Sequence, residues 1–132
     1  MSVNVILTPN FEREAKKLIK KYRSLRRELL DFTEELEGEP RIGVQISENV
    51  YKVRLAVRSK GKGKSGGMRI ITYVETKLVQ KPKDTDIYLL SIYDKSEQDN
   101  ISNRMIAQIV GELQEELKQA LSSTSRLASE EE

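Results

Sequence analysis

Apolar positions change period several times along the chain, and each change marks a predicted element. Residues 3–7, Val-Asn-Val-Ile-Leu, read as a short strand. Thr8-Pro9 then has the form of a helix N-cap followed by proline at the first helical position. Phe11, Ala15, Leu18, Ile19 and Tyr22 follow at helical spacing. Ser24 caps a second predicted helix, in which Leu25, Leu29, Phe32 and Leu36 share a stripe until Gly38 and Pro40 stop it. The two helices form a hairpin whose apolar stripes need a sheet to cover them.

After Gly43 the period shortens to that of strands. Over residues 50–58, Val53, Leu55 and Val57 point one way while Lys52, Arg54 and Arg58 point the other. Residues 59–67 hold four of the seven glycines and read as a loop. Residues 68–75 form the next predicted strand, opening on Met68-Arg69, and residues 78–85 form a polar connection around Pro82. The run Asp-Ile-Tyr-Leu-Leu-Ser-Ile-Tyr, residues 86–93, reads as a central strand buried on both faces. A helix from about Ser102 to Leu121 carries Ile106, Ile109, Val110, Leu113, Leu117 and Leu121 on one stripe.

This order predicts an α+β fold: an N-terminal helical hairpin on a small antiparallel β-sheet, with a C-terminal helix. Residues 1–121 are expected to form one domain, and residues 122–132 a flexible acidic tail. The sheet face away from the hairpin would carry Lys52 and Arg54.

Composition narrows the chemistry. The 132 residues include no cysteine and no histidine. That excludes a disulfide scaffold, a thiol nucleophile, a Cys/His zinc site and any triad that needs imidazole. No apolar run reaches the ~20 residues of a membrane helix. The opening residues also lack the pattern of a signal peptide, so a cytoplasmic protein with no membrane partner is expected.

The net charge of +2 conceals an uneven distribution. Residues 49–74 hold seven cations and no carboxylate, which leaves the rest of the chain at −5. Residues 12–27 hold eight cations against Glu12 and Glu14, and residues 28–39 hold six carboxylates and no cation. Cations gathered in one segment suggest a polyanionic partner, although a glycine- and lysine-rich loop can equally be a solvated connection.

Gly63-Lys64-Ser65 matches the end of a P-loop, but position 58 is arginine where that motif needs glycine, and a strand follows instead of a helix. Phosphate-backbone binding fits better: glycines admit phosphates close to the backbone and lysines neutralise them. Glu97 and Asp99 read as helix-capping residues. Tyr93 ends the central strand beside Asp94-Lys95, where a hydroxyl could stack on a base or move a proton.

Several of these features together resemble the RelE/ParE superfamily of type II toxins, in its RelE/HigB-like branch. They are Thr8-Pro9-Asn10-Phe11, Pro40 with Gly43, Val50-Tyr51-Lys52-Val53-Arg54, the run from Ser59 to Ile71 with its Gly66-Gly67-Met68-Arg69, and Tyr88 to Lys95. The resemblance spans about residues 3–115. It implies a ribosome-dependent, metal-independent endoribonuclease without cofactor, which cuts messenger RNA in the ribosomal A site. The RNA 2′-hydroxyl attacks the adjacent phosphate, and fixed cations stabilise the added charge.

Carried over by position, the resemblance implies a catalytic set of Arg54, Lys64, Arg69, Tyr93 and Lys95, with Arg69 on the scissile phosphate. Lys52, Arg58, Lys60, Lys62 and Lys64 are the implied RNA-binding residues. Lys95 falls where RelE has arginine, and Ile101 stands nearest to a RelE tyrosine whose hydroxyl Tyr93 would replace. The implied partners are the ribosome with its mRNA and a cognate antitoxin, whose acidic or amphipathic segment would cover Lys60–Lys64. Homo-oligomerisation is left open. A ParE-like gyrase inhibitor and a catalytically inactive antitoxin-binding module are the alternatives.

Overall fold

The computed structural model describes residues 2–61, 67–77, 84–97 and 101–130. The chain divides into two compact units, residues 1–100 and residues 101–132. The first unit contains β1 (Ser2–Leu7), α1 (Pro9–Lys21), α2 (Leu25–Gly38), β2 (Val44–Ser47), β3 (Val50–Leu55), a 3₁₀ turn (Arg58–Lys60), β4 (Met68–Lys77) and β5 (Asp84–Asp94). The second contains α3 (Asn103–Glu130). The α+β fold expected from the sequence is the fold observed.

The strand order is β1-β5-β4-β3-β2. The three strands expected after the hairpin form an antiparallel meander, which β2 extends to four, but β1 lies parallel to β5 and makes the sheet mixed. The helical hairpin carries the chain from β1 at one edge to β2 at the other, and the meander then returns β5 to the side of β1, a crossover that allows parallel pairing. β2 is an element that the sequence pattern did not announce. Its four residues Val-Gln-Ile-Ser are exposed or half-buried, and their alternation is too short to stand out from a loop. Its turn into β3 places Asn49 at φ 64°, a left-handed conformation that asparagine tolerates. β3 is also shorter than expected, ending at Leu55, so Arg58 lies beyond the strand.

The core joins Phe11, Ala15 and Leu18 of α1 and Leu25, Phe32 and Leu36 of α2 to one sheet face, with Tyr51, Val53, Ile70, Val74, Ile87 and Leu89 among the strand residues. Gly43 admits this packing: at φ +102°, a Cβ there would lie 2.5 Å from the Lys52 carbonyl oxygen.

Thr8 caps α1 as expected, accepting from the Phe11 N–H, and Pro9 takes the first turn. α1 also continues the pairing of β5 where β1 stops. Thr8 Oγ1 donates to Leu89 O at 2.8 Å, and Asn10 Nδ2 donates to Leu90 O at 2.9 Å. Glu14 Oε1 then accepts from Ser91 Oγ at 2.9 Å and from the Ile92 N–H at 3.4 Å. Side chains thus satisfy an edge that would otherwise hold unpaired backbone groups. The β4–β5 ladder shifts register here, pairing Ile71 with Ser91 and Thr72 with Leu89, so Leu90 is the extra residue of a bulge.

Burial raises the Glu14 pKa above 4.5 despite the hydrogen bonds that oppose it. A raised carboxyl pKa means that the folded state holds this proton longer, so stability falls as pH rises through that range. Glu14→Gln keeps an acceptor oxygen and removes the desolvated charge. It is expected to raise Tm by a few degrees at pH 7, with a gain that vanishes toward pH 4 in thermal scans.

The second unit is the helix α3. Ser102 Oγ accepts from the Met105 N–H at 3.1 Å, the bond of a helix N-cap. The helix continues past Leu121 into residues read as a tail. Among the described residues, no helix is long and apolar enough to cross a membrane.

Candidate nucleic-acid interface

Alternation along β3 sends Tyr51 and Val53 into the core, and therefore Lys52 and Arg54 to the opposite face. The ladder then aligns three elements in one row. Arg54 of β3 stands opposite Arg69 of β4, and Arg69 stands opposite Tyr93 of β5. Directly opposed residues have Cβ atoms roughly 4.5–5.5 Å apart, and like charges so placed repel. The structure thus brings Arg54, Arg69 and Tyr93 together.

Their environments differ. Arg54 is exposed, Lys52 and Lys95 are half-buried, and Arg69 and Tyr93 are each only 5% exposed. Burial lowers the Arg69 pKa, the nearby Arg54 charge lowers it further, and Tyr93 opposes both. The guanidinium stays charged, so this shift records an electrostatic cost built into the row. Lys95 follows β5 directly, and its N–H donates to Gly67 O at 3.1 Å. Among the described residues, Arg54 forms no ion pair with a carboxylate.

The remaining predicted cations do not join the row. Arg58 is exposed on the 3₁₀ turn, with its N–H on Glu28 Oε2 at 2.7 Å. Lys62 and Lys64 lie outside the described residues. Lys60 turns inward: its side chain is 4% exposed and its ammonium is paired with the Asp94 carboxylate. It also meets Ser96 Oγ at 3.0 Å and lies 5.2 Å from the Tyr22 ring centroid.

Asp94 is a residue that sequence reasoning passed over. Besides Lys60, its carboxylate accepts from Tyr22 Oη at 2.7 Å, Ser96 Oγ at 2.7 Å and the Ser96 N–H at 2.9 Å. Burial alone would raise its pKa. The bonds from Lys60, Ser96 and Tyr22 outweigh that and hold it well below the usual carboxylate range. Asp94 lies between Tyr93 and Lys95 in the chain, and the strand pleat sends Asp94 and Tyr93 to opposite faces. No local signal revealed this cluster, because its members come from α1, the 3₁₀ turn and the end of β5.

The turn is anchored on its other side by α2. Ser24 occupies the N-cap position of α2, but its side chain makes no capping bond to that helix. It bonds Glu28 Oε1 at 2.8 Å and accepts from the Ser59 N–H at 3.0 Å. Glu97, read as a capping residue, is paired with Lys21 at the end of α1. Asp99 lies outside the described residues. Among the described residues, no group of three or more His, Cys, Asp or Glu side chains could hold a metal ion.

The arrangement offers a row of cations and a phenol on one sheet face, braced from the other face by a buried ion pair. Fixed guanidinium groups beside a hydroxyl can bind a phosphate and stabilise charge that develops on it. No protein-family model matches the sequence, and no solved structure matches the chain.

Proposed function

We propose that this protein is a ribosome-dependent endoribonuclease of the RelE/HigB type, the toxin of a type II toxin–antitoxin pair. The observation that carries the reading is the row Arg54–Arg69–Tyr93, with Lys52 and Lys95 beside it. Two arginines set against each other on neighbouring strands cost stability, and a bound phosphate offsets that cost. In the proposed reaction the 2′-hydroxyl oxygen bonds to the adjacent phosphorus and the bond to the 5′-oxygen breaks. Arg69 and Arg54 stabilise the extra negative charge, while Tyr93 and Lys95 are the groups placed to move protons. The ribosome would present the mRNA, and an antitoxin would restrain the enzyme.

The test is a cell-free translation reaction with transcript ends mapped by primer extension, with and without ribosomes. Codon-phased cuts that need ribosomes support the proposal, and intact transcripts refute it. The burial of Arg69 and Tyr93 favours one second reading, a binding module without catalysis. Operator binding with a partner, combined with intact transcripts, would select it.

Arg54→Ala separates charge from fold. Arg54 is exposed and faces Arg69, so its loss is expected to leave stability unchanged or to raise it by about 0.2–1 kcal/mol. Affinity for a single-stranded RNA oligonucleotide should fall, and the salt dependence of binding should lose about one phosphate contact. Fluorescence anisotropy across a salt series measures both.

A further inference from the structure

The carboxylates of α2 and the cations of β3 meet in one cavity. β2 pairs with β3 only as far as Lys52, which stands opposite Val44, the first residue of β2. Beyond that point β3 borders a groove of about 760 Å³ whose other wall is α2. Its apolar lining includes Ile42 and Leu55, both half-buried, and Val44, which is 64% exposed. Glu28, Asp31 and Glu35 line the α2 side at i, i+3 and i+7, one face of the helix. Lys52 and Arg54 line the β3 side, so the groove adjoins the cationic row.

The three carboxylates are not equivalent. Both oxygens of Glu28 are engaged, one by Ser24 Oγ and the other by the Arg58 N–H. Asp31 is paired with Arg27 at 3.3 Å. Glu35 is exposed and, among the described residues, forms no ion pair.

From this geometry we infer that the α2–β3 groove is a guanine pocket for the RNA whose phosphates lie on the row. The inference rests on reading that row as an RNA site. A cavity with both signs of charge suits a ligand that is anionic at one end and rich in N–H donors at the other. A phosphate alone would be repelled by the α2 wall, and a basic peptide by Lys52 and Arg54. A nucleotide satisfies both walls, with its phosphate on Arg54 and its base between the aliphatic side chains. Guanine presents N1–H and the N2 amino group side by side, a donor pair that matches the two oxygens of one carboxylate. Adenine and cytosine place a ring-nitrogen acceptor beside their amino group, and uracil flanks its single N–H with carbonyls. Glu35 is thereby assigned as the residue that reads the base.

The test is equilibrium binding of short uridine oligonucleotides that carry one guanosine, inosine, adenosine or cytidine, followed by fluorescence anisotropy. Guanosine is expected to bind about tenfold more tightly than inosine, which lacks only the N2 amino group and so one hydrogen bond to a charged acceptor. Glu35→Ala, an exposed helical substitution whose folding is checked by thermal unfolding, should shrink that ratio to below about twofold. Arg54→Ala should weaken all four oligonucleotides and keep the ratio. Equal affinity for guanosine and inosine, preference for another base, or a guanosine preference that survives Glu35→Ala overturns the inference. The assay needs no cleavage, so the two readings fail separately. Codon-phased cuts without guanine selectivity would remove the pocket and keep the nuclease. Guanine selectivity with intact transcripts would keep the pocket and remove the nuclease.

Discussion

Asp94→Asn is expected to lower the unfolding free energy by about 3–5 kcal/mol, the usual cost of breaking one side of a buried ion pair. The carboxylate takes bonds from Lys60, Tyr22 and Ser96, and the substitution leaves the Lys60 ammonium buried without its counter-charge. Combining Asp94→Asn with Lys60→Met removes both charges and should recover part of the loss, since an apolar replacement of a buried pair is often neutral. The pH dependence follows from the depressed carboxyl. Its stabilisation is complete above the ordinary carboxyl value of 3.8 and is lost as pH falls below it toward the folded-state value. The wild type should therefore lose stability more steeply than Asp94→Asn below about pH 4. Urea denaturation at pH 7 and pH 3 measures both effects. A loss under 1 kcal/mol at pH 7 would show that the pair does not brace the fold.

Arg69→Gln is expected to reduce cleavage by about 10²–10³-fold, the scale for removing one fixed donor to a developing oxyanion. This prediction rests on the proposed activity. Arg69 stands between Arg54 and Tyr93, so its removal takes the middle contact out of the row. Arg69→Lys keeps the charge but loses the planar fork, and should fall between the wild type and glutamine. Single-turnover cleavage on programmed ribosomes ranks the three. Equal rates would remove Arg69 from the reaction even if the protein proves to be a nuclease.

What the sequence disclosed depended on whether the signal was local. Thr8-Pro9 announced the start of α1 because capping is settled within four residues, and the unbroken apolar run of β5 announced a central strand. Alternation along β3 placed Lys52 and Arg54 on one face, and antiparallel pairing then brought Arg69 beside them. β2 escaped because it is only four residues long and largely exposed, so its alternation is too brief to announce a strand. The parallel setting of β1 escaped because strand direction depends on a partner 82 residues away. Lys60 was indistinguishable from Lys62 and Lys64 in a glycine-rich run. Its inward turn is set by Asp94, 34 residues on, and by the brackets from Ser24 and Glu28 to the 3₁₀ turn.

The parallel edge pairing also sets a timetable for synthesis. β1 and the helical hairpin are translated well before β5, which supplies the ladder partner of β1 and carries Ile87, Leu89 and Ile92 into the core. At 5–20 residues per second, the 82 residues between β1 and its partner take about 4–16 s to add. For that interval Phe11, Leu25 and Phe32 face water or a chaperone. A pause in translation anywhere before residue 94 holds the nascent chain in that sticky state, with neither the strand that closes its core nor the tyrosine that completes its cationic row.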